Sequence, residues 1–375
     1  MGLGQGALPR LLAAVAGVVV AVALLEVVAR LVVPPSPTQV LRGLHRATPE
    51  HPWLYELKPN QEVRGRTTGD VVYATNADGF RDHAYARAKP AGTFRIAVVG
   101  DSVSFGYGVD LDATFAKLIE GRLQGLGAGP HYEVLNLGVS GYNPYTEAEL
   151  LQGVALGYQP DLVLVQFCIN DLNDPTQHFD ASTMLALGAV PDAAYPDPAA
   201  RRPPTQPVPL GRLGALCGYS RICGLLAAAL TPAAPREEMI AALKPHDDPS
   251  DAEIAWLERL YTRMARDTRS RGGELVVVVF PYETQLEAGA PSLVEEKIRA
   301  LGARAGVVVI DLLPAFRRAA AESDERLFLD MWHPTARGQR VAAEEIQRAL
   351  ACDRLLPGVA ARCAGSSAAV SPSGS

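Results

Sequence analysis

The sequence predicts an α/β protein, a three-layer doubly wound parallel sheet preceded by one transmembrane helix. Short, nearly continuous apolar runs at Phe94 to Val99, Tyr132 to Leu135, Asp161 to Phe167, Glu274 to Phe280 and Val307 to Ile310 alternate with helical patterns, among them Thr114 to Leu126 and Tyr145 to Leu156. Strands covered on both faces read this way, because neither face is left for polar side chains. The second observation is the stretch from Leu11 to Val33, which is almost wholly apolar. At about 1.5 Å per helical residue it crosses a hydrocarbon core of about 30 Å.

Glu26 and Arg30 interrupt that stretch, yet they stand four apart on one helix face and near its far end. They can pair, and arginine can reach the interface. A cleaved signal peptide is the competing reading, since Arg10 and the run from Leu11 to Leu25 make a charged start and an apolar centre. No small-x-small cleavage site follows, because Glu26 to Arg30 come next. An anchor is therefore expected. Charge gives no clear orientation: Arg10 and the terminal amine favour an inside N-terminus, while Arg30, Arg42 and Arg46 oppose it.

Further along, Pro34-Pro35-Ser36-Pro37 ends the helix and starts a stiff linker. Val71 to Thr75 reads as a short strand closed by the turn Asn76-Ala77-Asp78-Gly79, and Phe80-Arg81-Asp82 is expected to pack this extension onto the main domain. The expected organisation is an anchor at 1–35, a linker and extension at 36–92, a main domain at 93–352 and a flexible tail at 353–375. The main domain carries a Pro-rich insertion at about 172–250, with a helix candidate from Tyr219 to Leu230. Directly following Asn170, this insertion is either a lid or a peripheral excursion.

Composition narrows the function. With 375 residues, 48% apolar and 20% charged, the chain can bury a sizeable core and is not a disordered protein. A net charge of -6, a pI near 5.7 and no Lys/Arg block give no reason to expect a nucleic-acid partner. Cys217 and Cys223, and Cys352 and Cys363, could each close a small loop in an oxidising compartment, leaving Cys168 unpaired; five reduced thiols are the alternative. No metal-ligand spacing is present, and no cofactor is implied.

Four short segments carry the chemistry: Gly100-Asp101-Ser102, Asn136 to Gly141, Asn170-Asp171, and Asp330-Met331-Trp332-His333-Pro334. Ser102 falls at the carboxyl end of the first main-domain strand, where open α/β sheets bind ligands. A serine hydroxyl needs a base, and His333 has a carboxylate, Asp330, three residues before it in a short pre-helical loop. Pro334 and Thr335 are read as opening the last helix. Asp101 and Asp171 read as structural, holding the serine turn and the Asn170 loop. Tyr142, Asn143 and Trp332 read either as pocket lining or as ordinary helix-start and core residues.

These four blocks, in this order, resemble the SGNH (GDSL-type) hydrolases over roughly residues 93–350. The resemblance implies a flavodoxin-like sheet and a serine esterase with the triad Ser102, His333 and Asp330. It further implies oxyanion donors at the Ser102 N–H, the Gly141 N–H and the Asn170 amide, and a catalytic domain outside the cytoplasm. Gly141 is preferred to Gly138 because the family's glycine follows a serine, five residues past the strand-end asparagine. One departure stands out, for Cys168 occupies the place where the family has a glycine. Cys168 as a nucleophile is disfavoured, having no histidine motif beside it, and no Gly-x-Ser-x-Gly elbow occurs. The expected substrate is an O-acyl ester, short-chain and carbohydrate-linked. An O-acyltransferase acting on envelope polysaccharide and a non-catalytic, membrane-tethered binding module are the alternatives.

Overall fold

A computed structural model of the chain describes residues 7–33, 43–65, 71–127, 129–172, 190–196, 220–230, 248–287, 289–290 and 292–359. The first helix is α1 (Ala7–Val32), and its segment Leu8–Val32 is long and apolar enough to cross a membrane. Every residue from Leu8 to Val32 is exposed except Glu26 and Ala29. Glu26 accepts a hydrogen bond from Arg30 Nε at 2.8 Å, the pair their spacing predicts.

Two antiparallel pairs follow, β1 (His45–Ala47) with β2 (Tyr55–Leu57) and β3 (Glu62–Gly65) with β4 (Val71–Ala74). Of these only β4 was legible, because strands of three or four residues carry too few alternations to register. The main domain then runs β5 (Thr93–Val99), α2 (Ser102–Phe105), α3 (Phe115–Gln124), β6 (His131–Asn136), α4 (Pro144–Gly153) and β7 (Leu162–Phe167). It continues with α5 (Arg221–Leu230), α6 (Asp251–Arg269), β8 (Glu274–Val279), α7 (Leu293–Ala305), β9 (Val308–Asp311), α8 (Leu313–Glu322) and α9 (Ala336–Cys352). The Pro34–Pro37 linker, most of the 172–250 insertion and the Gly365–Ser375 tail lie outside the described residues.

Five strands form one parallel sheet in the order β6-β5-β7-β8-β9. This is the flavodoxin-like order, with its reversal between β5 and β7. Side-chain alternation sorts the strands into two cores. Ala97, Val99, Val163, Val165 and Val277 face one side, where Trp256, Tyr261 and Ile298 from α6 and α7 cover them. Ile96, Val98, Leu164 and Val278 face the other, beneath Phe115, Phe316 and Ile346 from α3, α8 and α9.

The extension docks on this domain through buried charge. Arg81 is almost fully buried, and its Nη1 donates to the carbonyls of Phe105 at 2.9 Å and Gly106 at 2.7 Å while Nη2 donates to Val109 at 2.7 Å. Its guanidinium also lies 4.6 Å from the Tyr73 ring centroid. Asp82 pairs with Lys117 at 2.7 Å and accepts from Asn136 N at 2.6 Å. Arg81 thus fixes the loop leaving α2. Replacing it with methionine strands the Phe105 and Val109 carbonyls, since that of Gly106 still accepts from Val109 N at 3.2 Å, at about 1–3 kcal/mol for each buried group left unpaired. Arg81→Met is expected to lose on the order of 3 kcal/mol or more in urea unfolding; a loss under about 1 kcal/mol would show the loop to be held by other means.

Candidate active site

Ser102 opens α2, three residues beyond the end of β5. Asp101 caps this one-turn helix, its Oδ1 accepting from Val103 N at 2.8 Å. Gln166 in β7 holds the turn from behind: its Oε1 accepts from Asp101 N at 3.1 Å and from Ser104 Oγ at 3.0 Å. Gln339 on α9 donates through Nε2 to Val103 O at 3.1 Å. Both glutamines escaped the sequence reading; for Gln166 a lone polar residue inside an apolar strand run was the available signal, while Gln339 on a polar-rich helix offered none.

Asp330 and His333 lie in the loop between α8 and α9, closed by Leu329 N donating to His333 O at 2.8 Å. Asp330 Oδ1 accepts from Trp332 N at 3.1 Å and His333 N at 2.9 Å, while Oδ2 is 2.7 Å from His333 Nδ1. On the opposite edge of the ring, His333 Nε2 is 2.8 Å from Ser102 Oγ. With Nδ1–H donating to the carboxylate, Nε2 is left to accept the serine proton; this tautomer follows from the network. Burial raises the Asp330 carboxyl, but the His333 ring and the two backbone N–H groups outweigh it and hold the group below its ordinary range. Thr335 alone caps α9, accepting from Gly338 N at 3.2 Å, so Pro334 precedes the helix rather than opening it. Tyr107, which the sequence reading missed, tilts over the imidazole with ring centroids 4.5 Å apart.

The two glycines of the second block have different constraints. Gly141 takes φ +87°, a left-handed conformation that favours glycine. A Cβ on Gly138 would meet Phe105 N at 2.6 Å, so its constraint is close approach to α2. The Gly138 N–H is also occupied, donating to Asn136 Oδ1 at 3.1 Å. By contrast, the N–H groups of Ser102 and Gly141 donate to no acceptor among the described residues. Asn170 donates one amide hydrogen to Asp101 Oδ2 at 2.7 Å and has a second to give. Tyr142 is core, its hydroxyl donating to Tyr55 O at 2.6 Å, and Asn143 caps α4. Trp332 packs on the apolar cluster of Cys168, Ile169, Tyr282 and Met331.

Cys168 is fully buried, and burial first, then the nearby Asp101 and Asp171, pushes its thiol well above the usual range. It fills a packing space and is no thiolate. Cys223 and Cys352 are disulfide-bonded, while Cys217 and Cys363 lie outside the described residues.

Behind Asn170 lies a set of buried acids. Asp171 Oδ2 accepts from Cys168 N at 2.7 Å, which closes the Asn170 turn. Glu147 on α4 is fully buried, and neither of its carboxyl oxygens has a hydrogen-bond partner among the described residues. Burial drives both acids well above their ordinary range; Asp101 adds to this at Glu147, and Glu147 and then Asp101 add to it at Asp171. An acid whose folded pKa is raised contributes its full stability below the unfolded pKa and loses it as pH rises. The loss is about 1.4 kcal/mol per pH unit for each proton involved. Glu147→Gln is expected to flatten the fall of Tm between pH 5 and 9. An unchanged slope would show that Glu147 is not held neutral.

A family model of GDSL-like lipases and acylhydrolases matches residues 98–341. The chain belongs to that family. It is accordingly an ester-cleaving hydrolase, and the four blocks all lie within the matched span. Comparison with curated proteins gives no match. Among solved structures, the GDSL-type chain is similar to the lipase/acylhydrolase from Enterococcus faecalis at 16% identity and TM-score 0.41, covering 71% of this chain and 100% of that one. It is also similar to an acetylxylan esterase from Geobacillus stearothermophilus at 12% identity and TM-score 0.41, covering 68% and 93%. The figures for the acetyl xylan esterase AlAXEase are 14%, 0.40, 68% and 100%.

Proposed function

We propose that this GDSL-type hydrolase cleaves short-chain O-acyl esters, carbohydrate-linked in its natural substrate, through a Ser102–His333–Asp330 triad. The observation that carries the reading is the unbroken line of hydrogen bonds from Asp330 through His333 to Ser102. Ser102 Oγ attacks the acyl carbon as its proton moves to His333 Nε2, and Asp330 steadies the imidazolium. The oxyanion forms toward the Ser102 N–H, the Gly141 N–H and the spare amide hydrogen of Asn170. Collapse breaks the bond to the alcohol, which leaves with the proton from His333, and an acyl-Ser102 ester remains. Water then attacks that ester, His333 taking its proton and returning it to Ser102. Short acyl groups fit a nucleophile that is only 7% exposed. The partly buried faces of Tyr107 and Trp332 beside His333 suit an alcohol with both polar and apolar surface, as a sugar has.

The hydrolase domain is assigned to residues 93–352, and α1 to a membrane anchor that leaves this domain outside the cytoplasm. The disulfide-bonded Cys223 and Cys352 support an oxidising compartment. Part of the insertion is tied to the hydrolase domain: Ala194 O accepts from Asn143 Nδ2 at 3.0 Å, two residues after Gly141, and Ala193 O accepts from Trp256 Nε1 at 2.9 Å.

With p-nitrophenyl esters the full-length protein is expected to favour acetate over octanoate, and Ser102→Ala to abolish turnover. Asn170→Ala should lower kcat about a hundred- to a thousand-fold with KM little changed. Equal activity of Ser102→Ala and wild type would refute the mechanism. Release of p-nitrophenol that requires an added oligosaccharide, with acetylated sugar and no free acetate as product, would identify a transferase instead.

A further inference from the structure

Glu26 does more than pair with Arg30. Its carboxylate accepts from Ser220 Oγ at 2.8 Å, Arg221 N at 2.9 Å and Ile222 N at 3.3 Å, so a side chain of α1 caps the N-terminus of α5. The first N–H groups of a helix have no acceptor within it, and a carboxylate there also meets the positive end of the helix dipole. Ala29, one turn further along α1, is buried, although its neighbours on that helix are exposed. Beyond Arg221, α5 reads Ile-Cys-Gly-Leu-Leu-Ala-Ala-Ala-Leu, without a charge. Leu225 and Leu226 are 49% and 58% exposed, so these residues are not covered by the protein's own core.

We propose that α1 is retained in the mature protein and that α5 sits beside it in the same bilayer, the pair forming one membrane-seated unit joined at Glu26. This rests on the reading of α1 as an anchor, and it commits the exposed face of α5 to lipid acyl chains. At ten residues α5 is about 15 Å long, too short to span but long enough to enter one leaflet. Glu26 lies six residues before the end of α1, roughly 9 Å inside that end. A lone carboxylate at that depth is costly, whereas one that accepts four hydrogen bonds is not left unsatisfied. Removal of α1 by a signal peptidase would take away the cap of α5 together with its apolar neighbour.

The test is photocrosslinking of the full-length protein in phosphatidylcholine/phosphatidylglycerol vesicles that contain a phospholipid with a diazirine on its acyl chain, read by peptide mass spectrometry. Adducts are expected in residues 221–230 as well as in 8–32. In Glu26→Leu the α5 adducts should fall at least fivefold while those of α1 persist. Adducts confined to α1, an unchanged α5 yield in Glu26→Leu, or a mature N-terminus beyond Val33 would each overturn the proposal. Absence of adducts from both helices would instead remove the anchor reading on which it rests.

Discussion

The 2.8 Å approach of His333 Nε2 to Ser102 Oγ joins residues 231 positions apart, and most of the buried polar contacts nearby hold one end or the other. The serine end is fixed at the sheet's reversal between β5 and β7, where Gln166 reaches across from the neighbouring strand to grip the turn. Asp330 fixes the histidine end through three hydrogen bonds to Trp332 and His333. Gln339 then ties the two ends together, since it sits on the helix that follows His333 and bonds the carbonyl next to Ser102. A contact between two single atoms is reproducible only when both backbones are held this tightly.

Electrostatics sets the second constraint. A site that receives an oxyanion should not face ionised carboxylates at low dielectric, yet Asp101, Glu147 and Asp171 all lie near Asn170. Burial eases the conflict by pushing the Glu147 and Asp171 carboxyls well above their ordinary range, while the hydrogen bonds that Asp101 accepts from Val103 N and Asn170 tie it to the serine turn. Asp330 is placed the other way, at the surface side of the imidazole, where its charge favours the imidazolium.

Legibility followed locality. The apolar strand runs, the glycine before a capping Asp-Ser and the Asp-x-x-His spacing are all local patterns, and each marks an element or a contact within a few residues. Neither pattern was specific alone; Ser102 and His333 could be matched because all four blocks occur together, in the order of the family they resemble. Contacts of long sequence separation left weaker traces: Arg81 was placed at an interface without its carbonyl partners, Gln166, Gln339 and Glu147 were passed over as strand or helix residues, and Tyr107, in the loop after α2, was not singled out. Glu26 shows the same limit. Its i,i+4 partner Arg30 was readable, whereas its capping of α5, 194 residues away at Ser220, was not.

The most direct measurement of the central claim is covalent trapping with a fluorophosphonate, followed by peptide mapping, of the wild type and of His333→Ala. A single phosphonyl adduct on the peptide containing Ser102 is expected, with the labelling rate falling by at least a hundredfold in the variant, where the serine is intact but has lost its base. Labelling at another residue, or an equal rate without His333, would contradict the assignment of Ser102 as a nucleophile activated by His333.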